Sequence, residues 1–530
     1  MYSADKPHKI MEDKKWWSDE WNPFEYGREY DFSKPFFDQF DKLTKEVPLP
    51  HLQREYATMI HSEYCNAAAG LKNCYLVTNA DMVENCAYGE MVQRTRDCQD
   101  VVFTYDSELC YEGTSLQHCY RTVFSQDCEN CRDVWFSLDC FDCNDCFGCV
   151  NLRKKSYCIF NKQYTKEEYH KKIEEFELGS RNGVQSVCQK TKDFSALFPR
   201  KFMHGRLNTD VSGEYVYQSK NAKNMYNCHK TENCKYCHFL KYVTTGTSDS
   251  YDYTIFGNTA DLIYESVWCG IQVSNLKFCF WNYNAQDLQY CIGCHNSRQL
   301  FGCVGLRKKQ YCILNKQYPK DKYEKMIPKI IAHMSDMPYE DKKKRVYKYG
   351  EFFPPEMSPF GYNETWAHTY FPLSKEEALE SGFSWYNRED RNYAITLKVR
   401  DVPDTIKEVN DNIVNEIIEC EHRGECNENC ATAFKVIPAE LQFYRRLNLP
   451  LPILCPNCRR HQRLKKLNPI ESHERRCGCA GTQSKNNLYQ NTANHSHHRD
   501  NPCFTTFQTS YAPDRQEIVY CEQCYNAEVV

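Results

Sequence analysis

The chain has 530 residues, a length typical of about three or four domains. Its hydrophobic residues (41%) and aromatic residues (14%) suffice for packed cores, so a generally disordered chain is excluded. Its mean hydropathy of −0.74 and the lack of any run of about 18 apolar residues exclude a membrane span. The net charge is −4, and the residues up to Trp17 lack the apolar stretch of a secretory signal, so we expect a cytoplasmic protein.

Cysteines are the most informative residues of the chain. There are 33 of them, and in a reducing compartment they serve as metal ligands, catalytic thiols or small buried hydrophobes rather than as disulfides. Thirteen lie in 65–158, ten in 188–312 and ten in 420–524, whereas 313–419 has none. This distribution separates a cysteine-rich body from a cysteine-rich tail.

Residues 1–58 are predicted to form an aromatic N-terminal arm. Ten aromatic residues lie in 16–43, and Ser33 followed by Pro35 is a typical helix start. One interpretation is a docking arm for a partner. We favour the other, a cap over the first open coil of the body, because repeat proteins need their ends covered.

The body contains an internal duplication. Residues 148–164 recur as 302–318 with 14 of 17 positions identical. Each copy precedes a segment with helical spacing of apolar residues, opened by a capping box at Thr165 in the first copy and by Pro319 in the second. We therefore predict two tandem units, each closed by a helix: 59–180, and 181–335 including a linker.

Each unit is predicted to be a β-helix. All cysteine gaps in 65–158 are multiples of three, and pairs twelve apart start every 21 to 24 residues. Short segments rich in β-branched and aromatic residues run between them. A fixed period of about 20–25 residues with strands and turns indicates a solenoid. The expected fold class is thus mainly β, with two tandem β-helix-like units followed by a small α+β zinc-ribbon tail.

The body cysteines have two interpretations. The first makes them inward-facing ladders of a packed interior, since free cysteine is among the most buried residue types. The second makes the dense run in 128–149 a zinc or iron–sulfur site, because repeated Cys-x2-Cys spacing suits metals. We favour the ladder, since the same spacing recurs along the whole unit.

Residues 336–419 are predicted to be an irregular and helical connector between body and tail. Ser374 and Glu377 form a capping box at the start of a short helix, and 402–418 has the spacing of a second helix.

The first part of the tail, 420–470, has the ligand spacing of a zinc ribbon. Cys426 and Cys430 precede Cys455 and Cys458 by a short intervening segment. Two close pairs of this kind bring four thiolates to one tetrahedral ion, whose binding stabilises so small a fold. Cys420 and His422 are alternative ligands.

The second part, 471–530, is predicted to hold another zinc ion. Its candidate ligands are Cys477, Cys479, Cys503, Cys521 and Cys524. Five cysteines exceed the four positions of a zinc shell, so one of the first two is redundant or a histidine of 495–498 replaces a cysteine. We expect two structural Zn2+ ions in all.

The tail also resembles a known family. The chain resembles the family named probable zinc-ribbon domain at Cys430, Phe434, Glu440, Phe443, Tyr444, Pro452, Cys455, Cys458 and Arg459. It departs from that family in having Cys-x3-Cys where the pattern has Cys-x2-Cys. The start of the chain, the two repeated blocks and the last 22 residues, 509–530, are similar to uncharacterised multi-cysteine proteins of uncultured, small-genome bacteria that carry this domain. The resemblance implies zinc ribbons and no activity.

Basic residues cluster beside the first ribbon. They are Arg445, Arg446, Arg459, Arg460, Arg463, Lys465 and Lys466. Such a cluster on a zinc ribbon suits phosphate contacts, with Phe443 and Tyr444 available to stack on bases. The alternative is a basic face that pairs with the acidic body.

Three functions are compatible with this sequence. The first is a zinc-binding cytoplasmic scaffold that binds an unknown macromolecule, nucleic acid being one candidate. The second is an enzyme acting on a carbohydrate-like polymer along a solenoid groove, with Asp139, Asp142 and Asp145 as its row of carboxylates. The third is a metal-storage or iron–sulfur redox protein that uses the body cysteines.

Overall fold

The computed structural model describes residue 2 and residues 6–240, 245–387, 393–481 and 489–530. Within them the protein is mainly β, as predicted, and its body is a β-solenoid of about 20 turns. The α-helices in these residues are α1 (Asp13–Trp17), α2 (Phe36–Glu46), α3 (Lys166–Glu174), α4 (Arg181–Ser195), α5 (Lys320–Asp336), α6 (Trp366–Tyr370), α7 (Lys375–Glu380), α8 (Pro438–Leu447), α9 (Pro456–Leu464) and α10 (Glu522–Val529).

The strands follow the division into arm, body and tail. Two short strands of the arm are β1 (Ile10–Met11) and β2 (Leu49–Pro50). A first series comprises β3 (Asn66–Lys72), β4 (Thr78–Glu84), β5 (Glu90–Arg96), β6 (Val102–Tyr105), β7 (Arg132–Trp135), β8 (Asn144–Phe147), β9 (Ser156–Ile159) and β10 (Lys162–Gln163).

A second series of strands follows α4. After β11 (Arg200–Lys201), it comprises β12 (Gly205–Arg206), β13 (Thr209–Tyr217), β14 (Lys220–His229), β15 (Thr231–Glu232), β16 (Thr247–Ser248), β17 (Tyr251–Phe256), β18 (Ala260–Cys269), β19 (Val273–Lys277), β20 (Gln286–Gln289), β21 (Arg298–Phe301), β22 (Gln310–Ile313) and β23 (Lys316–Gln317). Connector and tail contain β24 (Tyr339–Glu340), β25 (Val346–Tyr347), β26 (Ile418–Glu419), β27 (Ala433–Phe434), β28 (His473–Arg476), β29 (Thr506–Thr509) and β30 (Val519–Tyr520).

Each coil of the first series has twelve residues. Asn66 pairs in parallel with Thr78, Thr78 with Glu90, and Glu90 with Val102, and isolated bridges continue the same step past residue 150. The predicted period of 20–25 residues is therefore wrong. The spacing of 21 to 24 residues between the starts of cysteine pairs corresponds to about two coils. The cysteine gaps are multiples of three because each coil has four sides of three residues.

The corners of the coil explain the three-residue rhythm. Backbone φ is positive at Asp97 (54°), Asp100 (58°), Phe103 (55°) and Asp106 (47°), and the residue after each corner faces the interior. Asn and Asp are frequent at these corners because they tolerate the left-handed conformation better than other residues with a side chain. A coil built this way has four inward side chains and a narrow interior.

Cys98 shows why cysteine suits this interior. Its Sγ donates to the carbonyl of Arg96 at 3.2 Å and accepts from the amide of Cys110, one coil further, at 3.1 Å. Ser107 makes the equivalent bonds, to the carbonyl of Tyr105 at 2.7 Å and from the amide of Cys119 at 3.1 Å. A small side chain that both donates and accepts fits such a site, so a thiol and a hydroxyl can replace each other there.

All thirteen cysteines of the first series are buried, as an inward ladder requires. Among the described residues, the groups of His, Cys, Asp and Glu that are close enough to surround one ion lie in the tail, and none includes a cysteine of 65–312. The structure therefore favours the ladder over a metal site in 128–149.

The second series is less regular than the first. Its parallel pairs advance by eleven residues at Gly205–Val216, thirteen at Ala260–Val273 and sixteen at Thr231–Thr247. This irregularity explains why its cysteine spacing is weaker in the sequence.

Both series end in the same way. The repeated blocks form antiparallel hairpins, β9–β10 and β22–β23, and α3 and α5 follow them. The predicted capping box at Thr165 is confirmed, because its side chain accepts from the amide of Glu168.

Two predictions outside the body differ from the structure. The aromatic part of the arm, 16–43, was expected to cap the first coil, but its aromatics pack on the second series: Trp16 lies 5.2 Å from Trp281, and Phe36 lies 5.1 Å from Tyr290, between ring centroids. The reason is that the last coils of the second series carry an outward aromatic face that these rings bury. By contrast, the end of the arm lies on the first coil, where Arg54 pairs with Ala68 of β3.

The connector is less helical than predicted. In 402–418 there are two 3-10 turns, Ile406–Glu408 and Asp411–Asn415, and no α-helix. Thr405 and Asn410 accept hydrogen bonds from nearby amides, and such local bonds compete with a continuous helix. The capping box at Ser374 is confirmed at the start of α7.

Candidate metal centres

Four cysteines of the first part of the tail converge at one point. These are Cys420, Cys430, Cys455 and Cys458, all buried, and we call them the first thiol group. The antiparallel pair β26–β27 brings Cys420 and Cys430 together. Cys455 is the N-cap of α9, and Cys458 lies in its first turn.

The sulfur positions match a tetrahedral thiolate site. Sγ of Cys458 lies 3.5 Å from that of Cys455 and 3.9 Å from that of Cys420. Bonds of about 2.3 Å from zinc to four thiolates place the sulfurs about 3.8 Å apart. The group therefore has the spacing to hold one thiophilic divalent ion.

Backbone amides surround the same sulfurs. The amide of Cys455 donates to Sγ of Cys420 at 3.2 Å, that of Ala431 to Sγ of Cys455 at 3.3 Å, and that of Thr432 to Sγ of Cys430 at 3.3 Å. Such donors stabilise the negative charge of thiolates, and the N-terminus of α9 adds to this effect. Hydrogen bonds from the thiols of Cys420 and Cys458 lower the pKa of Cys455 well below its usual value.

Cys420 and Cys426 lie in different groups of the structure. Cys420, an alternative ligand in the sequence, belongs to the first thiol group, whereas Cys426 does not. Sγ of Cys426 lies 3.7 Å from that of Cys458 and forms an overlapping group with His422 and Glu428. Sequence spacing favoured Cys426 because it lies nearer to Cys430 along the chain, but strand pairing brings the more distant Cys420 to the site.

A second thiol group lies at the end of the chain. It consists of Cys477, Cys503, Cys521 and Cys524, all buried. Cys477 and Cys503 lie near each other because Arg476 pairs with Thr506 between β28 and β29. Cys521 is the N-cap of α10.

The two thiol groups share their local geometry. Sγ of Cys503 lies 3.9 Å from that of Cys521, and the amide of Cys521 donates to Sγ of Cys477 at 3.2 Å. Cys521 therefore corresponds to Cys455 of the first thiol group, and Cys477 corresponds to Cys420.

Cys479 stands apart from the second thiol group. It forms a separate group with His495, His498 and Cys524, which we call the His–Cys group. The five cysteines are therefore distributed over three overlapping sets of ligands: the second thiol group, the His–Cys group, and a third set of His497, His498, Cys503 and Cys524. His497 is more exposed, and its Nε2 lies 3.3 Å from Sγ of Cys524.

All seven basic residues that the sequence singled out make ion pairs within the protein. The pairs join Arg445 to Asp411, Arg446 to Asp97, Arg459 to Asp100 and Glu440, Arg460 to Glu90, Arg463 to Asp100 and Glu112, Lys465 to Glu428, and Lys466 to Glu112. The side chains of Arg459 and Arg463 are 3% and 0% exposed. Five of the seven pair with acids of the body, in agreement with the second interpretation, whereas Arg445 and Lys465 pair with acids of the connector and the tail.

Two of the acidic partners of α9 come from adjacent coils. Asp100 and Glu112 are one twelve-residue step apart in the first series, and Arg463 contacts both. Phe443 and Tyr444, considered as base-stacking residues, instead pack on Tyr111 with ring centroids 5.7 Å and 5.5 Å away. Sequence reasoning missed these acids, although the coil period, once recognised, places Asp100 and Glu112 on one face.

The predicted row of carboxylates does not form. Asp139, Asp142 and Asp145 occupy three consecutive corners of a coil, with φ of 52°, 54° and 47°, and consecutive corners point in different directions. Asp139 also pairs with Arg153 at 3.3 Å and accepts from the hydroxyl of Tyr525. The expectation of a row on one face is therefore wrong.

None of the helices in the described ranges is long and apolar enough to cross a lipid bilayer.

Comparison with known proteins identifies no family. No family model and no curated protein matches the chain. Among solved structures, the chain is similar to a crystal structure described as a "putative acetyltransferase" from Desulfovibrio desulfuricans G20, with 8% identity over 54% of this chain and 84% of that one. The TM-score is 0.12, so this similarity carries no argument about fold or function.

Proposed function

We propose that this protein is a zinc-binding scaffold, in which two zinc-ribbon modules bind to a duplicated β-solenoid and hold it in one arrangement. The observation that carries the proposal is the convergence of two separate sets of four buried thiols, each with a Cys-x2-Cys pair at a helix start.

The ligand sets favour a structural role for the metal. Four thiolates fill a tetrahedral zinc shell and leave no position for a water or a substrate. Thiolates are also the ligands by which zinc stabilises small folds that have little apolar core of their own.

The first zinc-ribbon module, 420–470, attaches the tail to the body. Through α8 and α9 it contributes Glu440, Arg459 and Arg463 to a buried set of charges around Asp100. Zinc in the first thiol group would fix the start of α9, and therefore the direction in which Arg459 and Arg463 extend. The basic cluster thus serves the internal contact in this proposal.

The two series are proposed to be tandem units of one ancestral solenoid. The repeated blocks 148–164 and 302–318 form the same hairpin at the end of each series, and a helix follows each hairpin. A repeated ending with its own closing helix is what duplication of a complete unit produces.

Zinc removal tests the proposal. Purified chain is analysed for metal, stripped with a chelator at neutral pH, and digested briefly with trypsin. We expect zinc in the purified chain, and cleavage confined to 420–530 after stripping, with protection restored by added Zn2+ but not Mg2+. A chain that holds no zinc, or whose tail resists trypsin equally with and without it, would overturn the proposal. Binding of generic RNA at low salt would add a nucleic-acid surface outside the paired basic cluster.

A further inference from the structure

We propose that the second thiol group and the His–Cys group together form a dinuclear zinc centre, in which the thiolate of Cys524 bridges the two ions. This inference rests on the proposed function, because it adds a second ion to one of its metal centres.

The His–Cys group has the spacing of a tetrahedral site of its own. Nδ1 of His495 lies 3.0 Å from Nε2 of His498 and 3.5 Å from Sγ of Cys479. Nε2 of His498 lies 3.4 Å from Sγ of Cys479 and 3.3 Å from Sγ of Cys524. Zinc bonds of about 2.0–2.1 Å to nitrogen and 2.3 Å to sulfur correspond to separations of about 3.3 Å between two nitrogens and about 3.6 Å between nitrogen and sulfur, so the four observed distances are each within about 0.3 Å of tetrahedral spacing.

A buried carboxylate orients one of the two histidines. Nε2 of His495 lies 2.8 Å from Oε1 of Glu528, and the two side chains are 1% and 0% exposed. The amides of Thr492 and Ala493 and the hydroxyl of Tyr489 hold this carboxylate in place. Donation from Nε2 to Glu528 leaves the lone pair of Nδ1 directed at the group, and carboxylates support metal-bound histidines in this way.

Charge balance favours two ions over one. Five cysteines surround this region, and all five are buried. One divalent ion with four thiolates leaves two negative charges uncompensated in a buried site, which is costly, and Cys479 stays a neutral thiol. Two ions with five thiolates reduce the excess to one negative charge. One thiolate sulfur has enough lone pairs to bind both ions.

Cys524 is the residue that the two sets share. It belongs to the second thiol group and to the His–Cys group. The bridging position also explains why the two sets overlap at one sulfur instead of forming separate sites.

Native mass spectrometry of zinc-loaded full-length chain tests this inference. We expect Cys479→Ser and His498→Gln each to lose one zinc ion relative to the natural chain, while Cys188→Ser and His497→Gln lose none. Cys188 is an exposed thiol outside the tail, and His497 is the competing histidine beside the same sulfurs. Glu528→Gln should retain the site but weaken its affinity for one ion by about 10–100-fold.

The outcomes separate this inference from the proposed function. If Cys521→Ser loses zinc but Cys479→Ser and His498→Gln keep the full count, the dinuclear centre is wrong and the single thiol site remains. If His497→Gln loses an ion and His498→Gln does not, the second ion is bound elsewhere and the inference is also wrong. If no variant holds zinc, and neither does the natural chain, both proposals fail.

Discussion

Nη2 of Arg463 lies 3.2 Å from Oδ1 of Asp100, and neither side chain has exposed surface. The two residues are 363 positions apart in the chain. Arg459 lies on the same helix and reaches the other oxygen of Asp100 at 3.3 Å. A buried carboxylate between two arginines connects the cysteine-rich tail to the body.

Arg463→Met is expected to loosen the tail strongly. It removes one of two cations that compensate Asp100, and loss of one partner from a buried ion pair typically costs about 3–5 kcal/mol. Thermal unfolding should show a lower midpoint, and brief proteolysis should release the tail. Asp100→Asn in the same chain should recover part of the loss.

Lys466→Met is the matched control for this prediction. Lys466 is 40% exposed and its pair with Glu112 measures 3.4 Å, so its loss should cost less than about 1 kcal/mol. Equal effects of the two substitutions would contradict the role assigned to Asp100.

The sequence predicted a mainly β fold and clustered cysteines in the tail that could hold a metal ion, because both depend on local spacing. Cysteines at multiples of three indicated coils, and Cys455 with Cys458 indicated a metal-binding turn. Recognition of the twelve-residue coil failed, because the more conspicuous spacing of cysteine pairs spans two coils.

Other features depend on contacts that local spacing does not encode. Cys420 enters the first thiol group through pairing of β26 with β27. The partners of Arg460 and Arg463 lie 370 and 363 residues away. Local sequence identified these residues as basic but did not indicate that their charges are compensated inside the protein.

Cys98→Ser is expected to be tolerated, whereas Cys98→Leu is not. Serine at 107 already makes the two backbone hydrogen bonds that Cys98 makes. Leucine overfills the narrow interior and removes both bonds, and overpacking of a core typically costs about 1–3 kcal/mol. Chemical denaturation followed by circular dichroism measures the difference.

Cys188→Leu controls for the general effect of a larger residue. Cys188 is exposed on α4, so we expect this substitution to leave stability nearly unchanged. If Cys98→Leu is equally harmless, the interior is wider than the ladder of small side chains implies.

Stability should also depend on pH through His204. Burial alone would lower its pKa, but the charges of Asp127 and Glu214, its hydrogen bond to Glu214 and the more distant charge of Asp139 raise it to about 9. Its ring stacks on Tyr215 at 5.0 Å. Because the folded pKa exceeds the ordinary value of about 6.5, the protonated ring of His204 stabilises the fold fully below pH 6.5. This stabilisation is lost as the pH rises through about 9.

The pH prediction has a defined magnitude and control. The difference between the two pKa values, 6.5 and about 9, corresponds to at most about 3.4 kcal/mol. Denaturant titrations at pH 6 and pH 10 should show this loss in the natural chain and a smaller one in His204→Gln. Burial raises the pKa of Asp127 from 3.8 to about 6. A second decline in the stability of the natural chain is therefore expected as the pH rises from about 4 to about 6. Identical alkaline declines in both chains would contradict the assignment to His204.

Zinc content of Cys455→Ser tests the central claim most directly. We predict that purified natural chain contains zinc, that the variant contains one ion fewer, and that zinc bound at the second thiol group is retained. Natural chain without zinc, or a variant with undiminished zinc, would contradict the claim that the converging thiols are metal ligands.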